Sequence, residues 1–499
     1  MYDSFERQPG TRTGVRAGVA APIYNDRGVI AESYHDLQGL SVLAAARASC
    51  PLPRASASST LRAVLQAAEI ALLNLADLLE RAATDVAEER VGGAAVKLSW
   101  ARGFQRVLSR LSLLPEQLAL ATNGGTEHSV LRIEDSPAFA EYDRAVRAFD
   151  QIVMRCAESG VLDLQGALAD TSLDSAAFSV LHLARIGNHE STIWARNLAA
   201  VRVPMAAPSY QAFVVTDVMK EAVYERVLTG DTYFTQFRGL HQIPEILGEE
   251  VNDRLEQGVR DLRDGAWHSA AEHLRRVNVL GDAMLACLPP MVDNLATSDY
   301  HQIRENLGLT SGSHSVCLRF HLFTHLYEQW AEELERSILT AAGADASGID
   351  DGIRWLDGEQ RRDGDTWLLN FLVDESLKFR AFVFQWREEH LNLPRNNLGG
   401  EGTKSLTGSP DAVQAVVHMR DTARSRDALL PIAQARGVAA SGGQPRGDLH
   451  RYLESDASLD TWLLRATGRV TKTRFHDVQE RLGVFAARCP FTPPPRRQA

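Results

Sequence analysis

At 499 residues the chain is long enough for two to four domains of roughly 100–200 residues, each able to bury its own core. Asp and Glu number 64 against 53 Lys and Arg, a formal charge of -11 that excludes the global basic footprint of a nucleic-acid-binding protein. Hydrophobic residues at 44% and charged residues at 23% are globular values, and no apolar run reaches the roughly 18–20 residues that span a bilayer, so a soluble protein without membrane contact is expected. The first residues are polar and lack the apolar stretch of a secretory signal. Five scattered cysteines, Cys50, Cys156, Cys287, Cys317 and Cys489, form no CxxC pair, so neither a disulfide framework nor a cysteine zinc site is indicated and a cytoplasmic location is expected.

Apolar residues recur at three and four spacing in long segments while alternating β-branched runs are scarce, which predicts an all-α protein. In chain order the periodicity predicts helices over Thr60 to Ala83, Val96 to Leu114, Ile246 to Arg263, Ala266 to Leu288, Ser315 to Ala341 and Thr366 to Leu393. Breaks rich in Pro, Gly, Ser or other polar residues fall at Cys50 to Ser59, Thr122 to Glu127, Val203 to Ser209, Ala342 to Asp351 and Val438 to Gly447. The break at Val203 to Ser209 is the best domain boundary. A further amphipathic stretch, Leu459 to Cys489, precedes a Pro-rich tail.

The two sides of that boundary resemble each other. Ser33-Tyr34 followed by Leu65-Gln66-Ala67-Ala68-Glu69 recurs 176 residues later as Ser209-Tyr210 followed by His241-Gln242-Ile243-Pro244-Glu245. Ser136-Pro137-Ala138-Phe139 resembles Ser298-Asp299-Tyr300-His301, and Arg196-Asn197-Leu198 resembles Asn396-Asn397-Leu398, with the separation drifting as loop insertions require. Two homologous helical halves are expected. Only the second carries a histidine at the position of Leu65.

Phe379, Phe382, Trp386 and His390 share a helix face, so His390 ends an aromatic stripe; it is either a metal ligand held on an apolar surface or a core histidine. Asn396, Asn397, Gly399, Gly400, Gly402, Thr403, Thr407 and Gly408 follow, a loop whose glycines let backbone N–H groups approach a ligand, or a plain surface loop. Phe234, Phe237 and His241 repeat the aromatic–histidine pattern, with Glu245 one turn on. Arg319 sits in an apolar context that demands a carboxylate or phosphate partner, from a ligand or from one of the chain's own acids. His321 with His325, and His268 with His273, lie in no zinc signature, and neither a nucleotide loop nor a GxSxG elbow is present.

Taken together, these residues resemble the tryptophan 2,3-dioxygenase superfamily of heme-dependent aromatic oxygenases. The family's distal-helix pattern F-x-x-x-H-Q-x-x-E is matched by Phe237-Arg238-Gly239-Leu240-His241-Gln242-Ile243-Pro244-Glu245. Its leucine-rich helix resembles His273-Leu274-Arg275-Arg276-Val277-Asn278, its F-R-x-x-L-G-x-x-S-G turn resembles residues 303–312, and its arginine matches Arg319. Its proximal histidine matches His390, followed by Leu398-Gly399 and Gly402-Thr403-Lys404-Ser405-Leu406-Thr407-Gly408. Lys404 and Leu406 interrupt the family's glycine/serine loop, and Leu322 replaces its acidic residue after the arginine.

The resemblance covers about residues 209–420 and implies a fold of two tryptophan-dioxygenase-like halves forming an internal pseudo-dimer. Residues 1–203 would be a degenerate repeat without heme, 204–425 the heme-binding catalytic repeat, and 426–499 a helical extension and tail. His390 is then the axial ligand of heme b, with dioxygen as co-substrate. His241 is the catalytic residue that hydrogen-bonds an indole N–H or a phenol, and Phe237 packs on the aromatic ring. Arg319 clamps the substrate carboxylate with help from Thr403, at about 1.5–3 kcal/mol per charge-assisted hydrogen bond. Tyr34 and Tyr210 match a tyrosine that, in the family, enters the pocket from a neighbouring subunit, so Tyr34 is expected to reach the second half's site. The implied activity is oxygenation of L-tryptophan or a related aromatic amino acid by an enzyme that pairs as a homo-dimer. Cleavage of the indole C2–C3 bond comes first, with a heme-dependent hydroxylase as the alternative. A non-catalytic heme or metabolite sensor, and a helical interaction protein without cofactor, are the rivals from other classes.

Overall fold

The computed structural model describes residues 23–25, 28–31, 39–49, 51–118, 129–130, 135–159, 188, 202–203, 209–224, 233–307, 325–343, 346–359, 364–398, 403, 410–425 and 427–440. These residues are overwhelmingly helical. Two short antiparallel ribbons, β1 (Ile23–Asn25) with β2 (Gly28–Ala31) and β3 (Ser129–Val130) with β4 (Arg202–Val203), are the strands among them. No described helix is long and apolar enough to cross a membrane.

The first half opens with α1 (Leu40–Ser49) and continues through α2 (Ala57–Ala87), α3 (Val91–Gln117) and α4 (Pro137–Glu158). Ser56 starts α2 with a capping box closed by Ser59. Periodicity alone did not predict α4; Ser136 caps it and Pro137 begins it, and Ala138, Phe139, Tyr142, Ala145, Val146, Phe149 and Val153 form its buried face at helical spacing. Across the boundary come α5 (Tyr210–Val214), α6 (Thr216–Tyr224), α7 (Phe234–Arg263), α8 (Trp267–Leu285), α9 (Leu288–Asn294) and α10 (Thr297–Leu307). Then follow α11 (Leu326–Ala342), α12 (Ile349–Glu359), α13 (Gly364–Asn397), α14 (Ala412–Ser425) and α15 (Leu430–Ala440). The helix expected from Ile246 begins twelve residues earlier, at Phe234, because α7 runs through Pro244 at the loss of one backbone hydrogen bond. The helix expected over Ala266 to Leu288 instead ends at Leu285, and Pro289 and Pro290 lie in the first turn of the next one. The stretch Leu459 to Cys489, the break at Thr122 to Glu127 and His189 lie outside the described residues.

Local geometry repeats at the separation of 176 residues. The left-handed residue before α1 is Gly39 (φ 68°), and the one before α6 is Val215 (φ 62°). Between α2 and α3 the left-handed residue is Glu89 (φ 61°); between α7 and α8 it is Gly265 (φ 73°). The same backbone bonds close both connections, Arg90 N–H to Asp85 O at 2.7 Å in one and Ala266 N–H to Asp261 O at 2.8 Å in the other. Each connection also buries an aspartate side chain. Asp85 pairs with Lys97 and Arg90, and Asp261 accepts from Ser269 at 2.5 Å with His273 at 3.7 Å. Burial raises the Asp85 carboxyl, yet the two cations together hold it below its ordinary value.

α2 and α7 pack antiparallel along the centre. Glu250 of α7 accepts from Thr60 and Ser59 at one end, and Gln236 donates to Asp77 at 2.7 Å at the other. Gly239 permits the close approach, since a Cβ there would stand 2.5 Å from the Asn74 amide. In the second half α8 lies against α13, with Phe382 resting on Gly281 so closely that a Cβ would meet the ring at 3.0 Å. Trp330 of α11 donates to Ser376 of α13 at 2.8 Å. Beside it, Asp427 takes Arg380 at 2.6 Å and also the Tyr327 hydroxyl, tying the start of α15 to the helix that bears His390.

Candidate functional site

His241 stands on α7, one turn after Phe237, with the two ring centroids 4.3 Å apart. Its Nδ1 lies 2.8 Å from the Phe237 carbonyl oxygen. A carbonyl only accepts, so Nδ1 carries the proton and Nε2 presents a lone pair. His390 stands on α13 one turn after Trp386. Both imidazoles keep some exposed surface. Burial nevertheless pulls both below the ordinary histidine value, His241 to about 4. Rings that are enclosed yet open on one side face a recess rather than bulk solvent. For His241 the Phe237 carbonyl opposes this shift, and the nearby His390 adds to it. The tertiary fold therefore brings the two histidines, 149 positions apart in the chain, into each other's electrostatic field.

The flanks of His241 are engaged in holding the helix in place. Arg238 donates to the carbonyls of Ala222 and Val223, the latter at 2.6 Å, and Gln242 donates to Ala222 O at 2.8 Å. The C-terminal end of α6 is thus gripped three residues before and one residue after His241. Gly39, at the entrance to α1, meets the same carbonyl: a Cβ would lie 3.1 Å from Ala222 O and 3.4 Å from Gln242 Nε2. The first half thereby touches the residue next to His241. Glu245, one turn further along α7, is buried.

The remaining candidates separate. Phe237 is buried beside His241. Thr403 is half-buried, and its hydroxyl donates to Leu398 O at 3.0 Å, which commits its proton within the chain. Tyr210 lies in the first half's core, where its hydroxyl donates to Glu69 of α2 at 2.7 Å. Arg319 and Tyr34 lie outside the described residues, as do Gly399, Gly400, Gly402 and residues 404–408. Of the aromatic stripe, Phe379 packs on Tyr327 at 5.7 Å between centroids and Phe382 packs on Gly281, so these two serve the core. His325 contacts Gln329, and His273 contacts Asp261 and is pushed down to about 4, chiefly by burial. No cluster of three or more metal-ligating side chains occurs among the described residues. Sequence reasoning did not single out Gly39 or Arg238. The separation of 176 residues could have flagged Gly39, because its mate Val215 precedes the second half's matching helix.

A single histidine ligand facing a second histidine suits a planar group that brings its own equatorial donors. The donor set meets that requirement: His390 is held neutral, as ligation needs, and His241 stands across the recess from it with Phe237 as an aromatic wall. No protein-family model matches the chain, and no curated protein matches it.

Proposed function

We propose that this protein is a heme-dependent oxygenase of L-tryptophan or a closely related aromatic amino acid, built as an internal pseudo-dimer of two helical repeats of which the second is catalytic. The observation that carries the reading is the pair His241 and His390, delivered by α7 and α13 to one recess and both held neutral by burial. Heme b bound through His390 would supply the iron that activates dioxygen.

The chain's own part follows from the tautomer of His241. Its Nδ1–H is fixed on the Phe237 carbonyl, so Nε2 is an acceptor and selects a substrate that offers an N–H or O–H, as an indole or a phenol does. The depressed basicity keeps that acceptor unprotonated throughout the neutral range. Phe237 supplies an apolar face for the ring. Arg319 is assigned the substrate carboxylate, which holds the ring carbon in place for reaction.

The pseudo-dimer reading draws its support from the paired left-handed residues, the paired helix connections and the antiparallel α2–α7 contact. In it the chain entering α1 belongs to the second half's site, and Tyr34, five residues before Gly39, contributes to the pocket. The spectrum of the heme-supplemented protein tests the whole: a stoichiometric Soret band that His390→Ala removes or shifts, and that L-tryptophan perturbs, is expected. Absence of specific heme uptake would sink the reading. Product mass then separates a gain of two oxygens, ring cleavage, from a gain of one, hydroxylation.

A further inference from the structure

Glu69 is 1% exposed where α2, α4 and α5 meet. Its Oε1 accepts from two hydroxyls, Ser136 of the α4 cap and Tyr210 of α5, and the Ala138 backbone N–H also bonds the carboxyl. These donors are all neutral. From α4 the charge acting on Glu69 is Glu141, of like sign and itself paired with Lys220 of α6. From α5 the titratable group is Tyr210, whose phenol burial pushes far above its ordinary range, so it remains a donor. A carboxyl enclosed by neutral donors and facing another carboxylate is costly to ionise.

We propose that Glu69, Ser136 and Tyr210 form a proton-controlled latch holding the opening helix of the second half against the core of the first, tight when Glu69 is protonated and loosened when it ionises. The geometry places the latch on a seam, because Tyr210 and Glu69 are 141 residues apart and belong to different halves. The segment it secures, α5 and α6, ends at Ala222, whose carbonyl is gripped by Arg238 and Gln242 on either side of His241.

Burial raises Glu69 from 4.5 to about 7. Between those values the folded protein retains a proton that the unfolded chain releases. The stabilisation is therefore whole below 4.5 and is lost as pH rises through about 7.

The test is the unfolding equilibrium of the full chain in guanidinium, from about pH 5 to about pH 8, for wild type and Glu69→Gln. The wild-type unfolding constant is expected to rise by on the order of a hundredfold more than that of Glu69→Gln across this range, with amide exchange in α5 rising in parallel. Parallel pH profiles would overturn the latch. If Glu69→Gln does not fold, Tyr210→Phe and Ser136→Ala each remove a donor that favours the carboxylate, so each should move the wild-type transition to higher pH. An unmoved transition in both would overturn it equally.

Discussion

α2 and α7 are the same helix in two settings, and their differences fall within one turn. α2 carries Leu65 and Ala68 where α7 carries His241 and Pro244, while Gln66 and Gln242, and Glu69 and Glu245, are kept. The kept glutamines do the same work: Gln66 donates to Val214 O at 3.1 Å and Gln242 to Ala222 O, each binding the short helices that precede α7. The scaffold of this turn is common to both halves. What α7 adds is a polar side chain facing a recess, and Pro244, which cannot bond the Leu240 carbonyl just before it. A leucine at the same position closes the first half's core, where Leu65 is 1% exposed.

The comparison breaks most completely at His390. His390→Ala is expected to abolish stoichiometric heme retention, read by the Soret band, whereas substitutions in the first half leave that band in place. His241→Leu, which gives α7 the residue of α2, should keep the heme and lower turnover on the order of a hundredfold or more. The same variant sharpens the electrostatic contrast. Because His241 is depressed from 6.5 to about 4, its burial stabilises the fold above 6.5 and that contribution is lost as pH falls through 4. His241→Leu should therefore lose part of the acid sensitivity of unfolding between those two pH values.

A smaller difference separates the two helix connections. Lys97→Met strips one of two cations from buried Asp85 and should cost about 2–3 kcal/mol in chemical denaturation. His273→Leu, opposite Asp261, should cost less than about 1 kcal/mol at neutral pH, since that imidazole is neutral there. Equal costs would show that the two connections are not electrostatically distinct. The smallest effects concern the left-handed residues. Gly39→Ala should cost about 1–2 kcal/mol for the backbone and the approach to Ala222 O, while Val215→Gly should gain about 0.5 kcal/mol by relieving a β-branched residue from that conformation. Opposite signs in thermal melts would mark the two as one turn with unequal residues.

Much of this was readable in the chain itself. The all-helical character, the breaks on either side of the helices and the separation of 176 residues follow from apolar spacing and capping chemistry, which act over a few residues and leave their mark locally. α4 escaped because its cap, Ser136 with Pro137, is a clearer signal than its short apolar face, and α7 was cut short because a proline was weighed as a stop when a buried helix can carry one. His241 and His390 were each legible as histidines on aromatic stripes. That Phe379 and Phe382 serve the core, that Tyr210 bonds Glu69, and that the two imidazoles share one recess were decided only by helices packing across long separations in sequence. A side chain's protonation and its partner depend on what encloses it, and enclosure is a property of the assembled helices rather than of any one of them.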